Sequence, residues 1–236
     1  MLPRIRIAHL PTPVDTAPRL AGVLGIKSLF IKRDDMTGLA LGGNKARKLE
    51  FLVAEAQNTQ ARMLITTGAA QSNHCRQTAA AAAKFGMKCV LVLVGEPPKK
   101  LSGNVLLDEL FGAKIIWVGN SQHRDSTLQT TFENAKAAGE HPYLVPYGGS
   151  SPTGVLGYAY ALKELLEQGV KPDWIIFASS SGGTQAGLVL GAQLYKYGGK
   201  ILGISVDQAR GELSSRVADL ALRILEGTST LTVRLI

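Results

Sequence analysis

Short apolar runs separated by amphipathic stretches dominate the pattern of hydrophobic and polar positions along the chain. The runs are rich in Val, Ile and Leu and have no polar face, which is typical of strands covered by helices on both sides. We predict strands at Leu29–Lys32, Met63–Thr66, Cys89–Val94, Lys114–Val118, Tyr143–Val145, Trp174–Ala178 and Ile201–Val206.

The stretches between these runs have the spacing of amphipathic helices. We predict helices at Asn44–Gln57, Ser72–Phe85, Val105–Phe111, Leu128–Ala138, Thr153–Gln168, Thr184–Tyr197 and Gly211–Leu225. The repeated order of strand and then helix predicts an α/β fold with a parallel sheet and right-handed crossovers. In such folds ligands bind where the carboxyl ends of strands meet the first turns of helices.

The composition is that of a globular protein, since 45% of the 236 residues are hydrophobic and 19% are charged. No run approaches the roughly 18 apolar residues that a membrane helix needs. Charge and proline interrupt the segment Met1–Arg6, so we expect no signal peptide, no membrane contact and a cytoplasmic location. Cys75 and Cys89 lack the spacing of metal ligands and are too few for a disulfide framework, so we expect buried free thiols and no metal site.

The net charge of +8 comes from scattered basic residues. The densest group, Lys45, Arg47 and Lys48, lies in a glycine-rich turn and not on a charged stripe. No RNA-binding signature or zinc-finger spacing accompanies it, so we expect no nucleic-acid partner. A positive field suits an anionic small molecule equally well.

The first segment with candidate chemistry is the lysine turn, Asp34–Glu50, which passes from a strand into a helix through three glycines. Glycine lets the backbone adopt positive φ and approach a ligand closely. We predict Asn44 as the N-cap and Lys45 in the first helical turn, where the helix dipole and partial burial lower the pKa of its amine and make it nucleophilic. The alternative is an ordinary solvated lysine at a helix start.

The lysine turn is not a P-loop. Gly38 and Gly43 have the required spacing, but Asn44 stands where that motif has its lysine. Ala46 follows Lys45, so the hydroxyl that would bind magnesium is also missing.

The second segment is Thr66–Gln77, which follows a strand and opens an alanine-rich helix. Ser72 is predicted as the N-cap, and its hydroxyl could equally face a ligand together with the first helical N–H groups. Asn73 can donate and accept hydrogen bonds to a planar polar ring. His74 is open between a structural role and a role as an acid or base, since no partner pattern accompanies it.

The third segment, Phe177–Leu188, places four hydroxyl residues and two adjacent glycines before an apolar helix. Backbone N–H groups and hydroxyls at a helix start form a cup for a phosphate, although a tight turn with a capping serine would have the same composition. The spacing of a dinucleotide-binding loop is absent. Together the three segments supply a reactive lysine, groups for a ring and a monophosphate cup, and pyridoxal 5'-phosphate (PLP) requires all three.

These segments resemble the D-cysteine desulfhydrase and 1-aminocyclopropane-1-carboxylate (ACC) deaminase family. The likeness runs from about Pro3 to the strand ending at Val206. The matching motifs are Leu10–Pro13, Ile31–Asp35, Gly42–Glu50, Gln71–His74 and Ser181–Gly187.

The resemblance implies a role for each matching residue. It implies that Lys45 carries PLP as a Schiff base and that Ser72 lies near the substrate as a nucleophile or acid/base group. It implies that the cofactor is also bound by Asn44, Lys48, Asn73, Ser181, Gly182, Gly183 and Thr184, with Lys48 near the phosphate and Asn73 at the ring hydroxyl.

The resemblance also implies the architecture, PLP fold type II as in tryptophan synthase β, with two open parallel-sheet α/β subdomains and a homodimer. We expect an incomplete large cofactor domain at 1–47 and 160–236 and a small domain at 48–159. Family members continue beyond Ile236, and Gly227–Ile236 matches none of their later sequence, so we expect a truncated C-terminal part.

The implied function is a PLP-dependent lyase acting on a small amino acid, with D-cysteine degraded to pyruvate, ammonia and hydrogen sulfide. ACC deaminase and L-cysteate sulfo-lyase are alternatives within the family. A chain that binds PLP without turnover and a phosphate-binding module with a solvated Lys45 are alternatives of another class.

Overall fold

The structure is a computed structural model and describes residues 3–226. Strands and helices alternate through most of the chain, as predicted. The strands are β1 (Val14–Thr16), β2 (Phe30–Lys32), β3 (Met63–Ala69), β4 (Lys88–Val94), β5 (Lys114–Val118), β6 (Pro142–Leu144), β7 (Trp174–Ser179) and β8 (Lys200–Ser205). The helices are α1 (Pro18–Val23), α2 (Lys45–Asn58), α3 (Asn73–Lys84), α4 (Gly103–Leu110), α5 (Arg124–Ala137), α6 (Pro152–Glu167), α7 (Gly183–Leu194) and α8 (Arg210–Glu226).

Four strands form a parallel sheet in the order β5-β4-β3-β6. Leu64 of β3 is paired with Cys89 of β4 on one side and with Tyr143 of β6 on the other. The side chains of β3 and β4 are buried on both faces, which confirms the prediction for these two strands. Cys75 and Cys89 are buried free thiols in or beside this core, also as predicted.

The second parallel pair, β7 and β8, differs from the prediction of cover on both faces. Ile175 and Ile201 pack with α6 and α7 on one face. On the other face Ile176 and Ile204 are 61% and 51% exposed. Among the described residues, helices therefore cover only one side of this pair.

An antiparallel ribbon of β1 and β2 is a further departure from the all-parallel prediction. Val14 is paired with Lys32 and Thr16 with Phe30. The first strand has three residues and lies between Pro13 and Pro18, so it offers too short a pattern for recognition.

A buried ion cluster fixes the first turns of α2. Arg47 is 2% exposed, and its Nη2 donates to Asp34 Oδ1 at 2.8 Å and to Glu164 Oε1 at 2.9 Å. Although burial opposes it, hydrogen bonds from Arg47 and Lys32 lower the pKa of Glu164 to about 2. The cluster joins the loop after β2 to α2 and α6. Arg47 on α2 and Glu164 on α6 are 117 positions apart in the sequence.

Close packing of α6 on α2 depends on Gly157. A Cβ atom at that position would lie 2.5 Å from the carbonyl oxygen of Arg47, which is too close for any larger residue. This contact fixes the position of α2 relative to α6 and to the loop Tyr147–Ser151 that precedes α6. Helix α2 and this loop both contain candidate site residues.

The domain division at 1–47, 48–159 and 160–236 stays a prediction, and Gly227–Ile236 lies outside the described residues. From residue 3 to residue 226, no helix combines the length and the apolar character needed to cross a membrane.

Candidate active site

Lys45 begins α2 directly after a turn that only glycine can form. Gly42 and Gly43 have φ of +73° and +128°, and a Cβ at Gly42 would lie 1.7 Å from the carbonyl oxygen of Asp35. Burial lowers the pKa of Lys45 to about 8. About a tenth of the amine is therefore unprotonated at pH 7, far more than for an ordinary lysine, and the unprotonated form is the nucleophile.

Asn44 occupies the predicted N-cap position, but its side chain makes no capping hydrogen bond. Its φ and ψ of −61° and −21° are helical, whereas a side-chain cap needs an extended backbone. Its Oδ1 accepts a hydrogen bond from Lys45 Nζ at 3.0 Å instead. The prediction of a capping Asn44 was therefore wrong, and the residue contacts the candidate nucleophile.

Lys48 lies one turn further along α2 and is 1% exposed. Its Nζ donates to the carbonyl oxygen of Gly148 at 3.0 Å. Burial, followed by the charge of Lys45, holds the pKa of Lys48 well below its usual range. A nearby anion would favour the protonated form of this buried amine, which has a single carbonyl acceptor among the described residues, so Lys48 is suited to bind an anion as an ammonium.

The third segment contains the loop Ser180–Gly182, which joins β7 to α7; the loop and the first residue of α7 lie against Lys48. Gly182 is the N-cap of α7 in the left-handed conformation, with φ of +79°. A Cβ at Gly183 would lie 3.0 Å from Lys48 Nζ and 2.4 Å from Ser150 Oγ, so the absence of a side chain leaves room there. The first N–H groups of a helix have no partner within the helix, which favours an anion at this position.

Ser150 is a site residue that the sequence interpretation missed. Its Oγ lies 2.8 Å from Ser181 Oγ and accepts from the backbone N–H of Gly183 at 3.2 Å. The signal was present, because Gly148 and Gly149 follow a strand and precede two serines and a helix. That composition is the same as in the predicted phosphate cup.

Thr184 and Asn44 border one cavity of about 490 Å³ between β2, α6 and β7. Most of its other lining residues are apolar, including Leu162 and Phe177. Lys45 and Lys48 are not among the lining residues, so this cavity adjoins the lysine cluster and does not contain it.

Ser72 is the N-cap of α3, as predicted. Its backbone is extended, and its Oγ accepts from the N–H of Cys75 at 3.2 Å. Asn73 follows as an exposed residue whose Oδ1 accepts from Arg76 Nη1 at 3.1 Å and from Asn104 Nδ2 at 2.9 Å. Among the described residues, no hydrogen bond joins Ser72 or Asn73 to Lys45 or Lys48.

His74 is a buried neutral residue between Thr66 and the two lysines. Its Nε2 lies 2.8 Å from Thr66 Oγ1, and that hydroxyl donates its own proton to the carbonyl of Val145. Thr66 Oγ1 must therefore accept a hydrogen bond from His74, so Nε2 is the ring nitrogen that carries the proton. Burial, and then the charges of Lys45 and Lys48, hold the pKa of His74 well below its usual range.

The three predicted segments meet around Lys45 and Lys48. The phosphate-cup segment approaches Lys48 at Gly183. The start of α3 is joined to the glycine turn because Arg76 Nη2 and Gln77 Nε2 both donate to the carbonyl of Gly42, at 2.7 and 2.9 Å. The site thus offers a nucleophilic amine for a carbonyl carbon and, for an anion, the buried amine of Lys48, hydroxyls and the start of α7.

Comparison with known proteins gives a consistent group of relatives. Residues 5–229 match the sequence model of a family described as pyridoxal-phosphate dependent enzymes. The chain is 40% identical to a candidate ACC deaminase of Pyrococcus abyssi over 95% of its own length and 69% of the relative's. It is 41% identical to a D-cysteine desulfhydrase of Salmonella choleraesuis over 92% of its length and 69% of the relative's.

The structure is also similar to the crystal structure of an ACC deaminase homologue. The TM-score is 0.92 at 37% identity, and the match covers all of this chain and 72% of that one.

Proposed function

The chain belongs to the family of pyridoxal-phosphate dependent enzymes, and on that premise we propose that it is a lyase converting D-cysteine and water to pyruvate, ammonia and hydrogen sulfide. Its fold is the α/β fold type II of PLP enzymes with parallel sheets, and its cofactor is PLP, as predicted. ACC deaminase activity is the second candidate, because relatives of both kinds match at almost equal identity.

One observation carries the proposal: an amine with a pKa of about 8 lies one helical turn from a buried cation beside an anion cup. PLP carries an aldehyde on one ring carbon and a phosphate on the methylene attached to the neighbouring ring carbon. Lys45 fits the aldehyde, whereas Lys48 and the space at Gly183 fit the phosphate. A solvated lysine or an ordinary capped turn would supply neither burial nor this juxtaposition.

We assign the remaining contacts by the same criterion. Lys48, the hydroxyls of Ser181 and Thr184 and the N–H group of Gly182 would hold the phosphate, and the N–H group of Gly183 would join them by exchanging its hydrogen bond to Ser150 Oγ for one to the phosphate. Asn44 accepts a hydrogen bond from the Lys45 amine and so orients it. Asn73 would donate to the oxygen on the ring.

When bound, PLP withdraws electrons from the bonds to the α-carbon of an attached amino acid. The Lys45 amine would take the proton from the α-carbon of the substrate, since a base with a pKa near the working pH is suited to both accepting and releasing a proton. Ser72, at the N-terminus of α3, would supply a hydroxyl near the departing sulfur or, for ACC, near the ring carbon that is protonated.

The test is a product assay on the PLP-loaded protein with D-cysteine, L-cysteine and ACC, measuring sulfide with pyruvate and, separately, 2-oxobutyrate. We expect kcat/KM for D-cysteine to exceed the values for the other two by at least about tenfold, a difference of roughly 1.4 kcal/mol. Preferred release of 2-oxobutyrate from ACC would establish the second candidate instead. Bound PLP without any product would show a cofactor-binding chain that lacks turnover. The Lys45→Ala variant is the blank in each assay.

A further inference from the structure

Arg76 is a buried cation that joins three segments around the site. It is 7% exposed, and its Nη2 donates to the carbonyl of Gly42 at 2.7 Å. Its Nη1 donates to Asn73 Oδ1 at 3.1 Å and to Asn104 Oδ1 at 2.8 Å. A planar guanidinium can hold several acceptors at fixed angles, which an ammonium cannot do.

The contacts to Asn73 determine which end of its amide faces a ligand. Arginine is only a donor, so the atom of Asn73 next to Arg76 must be the oxygen. Asn104 Nδ2 donates to the same oxygen at 2.9 Å, which excludes the flipped amide for a second reason. The Nδ2 group of Asn73 is then the part left to donate outward.

The contact to Gly42 acts on the turn that leads into Lys45. Gly42 and Gly43 have positive φ, and the carbonyl of Gly42 accepts from both Arg76 and Gln77. Since Lys45 follows two residues after Gly43, any displacement of this turn moves the start of α2. Arg76 thus contacts the candidate ring contact, Asn73, directly and acts on the candidate nucleophile, Lys45, only through the glycine turn.

Asp108 lies close enough to Arg76 for its charge, when ionised, to interact with the guanidinium. It is fully buried, and neither carboxylate oxygen has a hydrogen-bond partner among the described residues. The Nε of Arg76 is likewise buried without a partner there. Opposite charges buried near each other stabilise each other, and removal of one leaves the other uncompensated.

We propose that Arg76 is a positioning residue with two effects. First, it orients the Asn73 amide so that Nδ2 donates to the ring oxygen of PLP. Second, it anchors the glycine turn before Lys45. The first half rests on the proposed function, because it requires Asn73 to contact the cofactor. The second half is a property of the protein without cofactor.

A double-mutant cycle tests the first half. The dissociation constant of PLP is measured by titration of the lysine-bound absorbance band for the wild type, Asn73→Ala, Arg76→Lys and the double variant. Each single variant should weaken PLP binding by about tenfold, as for loss of one directed hydrogen bond to a charged group. The double variant should bind PLP within about twofold of the weaker single variant. This half would be overturned if the double variant weakened PLP binding by the product of the two single-variant factors, or if either single variant bound PLP as tightly as the wild type.

Controls separate positioning from loss of fold. Arg76→Lys keeps a cation beside Asp108, and its thermal unfolding without PLP should lie near that of the wild type. Should it unfold early, Arg76→Met is made in the Asp108→Asn protein, which removes the guanidinium without leaving a buried charge; the cycle then compares Asp108→Asn alone with its Asn73→Ala, Arg76→Met and combined variants. Lys84→Met removes an exposed cation from the other end of α3 and should leave PLP affinity unchanged.

Hydrogen exchange on the protein without PLP tests the second half. Backbone amides of residues 37–48 should exchange faster in Arg76→Lys than in the wild type or Lys84→Met. Equal exchange would overturn the anchoring role. If the wild type formed no PLP band, the proposed function and the Asn73 half would fail together, whereas the exchange result would still decide the role of Arg76 at the turn.

Discussion

The Nζ atom of Lys48 lies 3.0 Å from the carbonyl oxygen of Gly148, a residue 100 positions later in the chain. The contact brings α2 to the loop before α6, and Ser150 of the same loop contacts the start of α7. We predict that Lys48→Met raises the dissociation constant of PLP about 10- to 100-fold, because a charge-assisted hydrogen bond contributes about 1.5–3 kcal/mol. Binding of pyridoxal, which lacks the phosphate, should change little.

The comparison of these two ligands by absorbance titration isolates the phosphate contact. Equal weakening of PLP and pyridoxal would place Lys48 elsewhere in the site. Without ligand, the variant should be at least as stable as the wild type, since it no longer buries an ammonium with one acceptor. Lys27→Met, which removes an exposed cation, is the control.

The hydroxyl of Ser72 has a structural role that must be separated from any catalytic one. It accepts from the N–H of Cys75, so Ser72→Ala should lose about 1 kcal/mol of stability. We predict that this variant retains PLP and has a lower kcat. Ser72→Asn restores a capping oxygen without a hydroxyl, so its unfolding midpoint should recover while kcat stays low. Recovery of kcat in Ser72→Asn, or unchanged kinetics of Ser72→Ala on every substrate, would leave Ser72 as a cap only.

Asp108 makes stability depend on pH. Burial raises its pKa to about 7, whereas an unfolded chain has a value near 4. The folded state therefore binds more protons between these values, and stability falls as pH rises from about 4 to about 7. Asp108→Asn cannot ionise, so we predict that its stability relative to the wild type increases over that range and is constant above it.

Urea unfolding of the protein without cofactor, between pH 4.5 and 8.5, measures this difference. The exposed Asp173→Asn should show no such trend and serves as the control. Parallel pH profiles for the wild type and Asp108→Asn would mean that Asp108 titrates normally.

Periodicity was sufficient to predict most elements of the fold. The strand predicted at Lys114–Val118 is confirmed at both ends, and the helix predicted from Asn44 begins at Lys45. The strand predicted at Leu29–Lys32 is confirmed as β2, whereas β1, its antiparallel partner, was missed because it is three residues long. The apolar composition of β7 and β8 predicted cover on both faces, because composition alone cannot show which residues cover a strand.

Residue type and local order were sufficient to single out Lys45 and the segment Ser181–Thr184 as candidates, and their roles stay predictions. The site was not predictable where the role comes from distant contacts. Arg76 contacts Gly42 and Asn104 across 34 and 28 positions of sequence, and nothing in its local pattern marks it. Asn44 illustrates a different failure, since its helical backbone prevents the cap that its residue type favours.

The central claim is that PLP attaches to Lys45. The most direct measurement is to load the protein with PLP, reduce the linkage with borohydride and locate the modified lysine by peptide mass spectrometry. We predict a single PLP-bearing lysine, Lys45, and no labelling or cofactor band in Lys45→Ala, whose thermal unfolding without PLP should resemble that of the wild type. Labelling of Lys48 or another lysine, or a retained cofactor band in Lys45→Ala, would contradict the account.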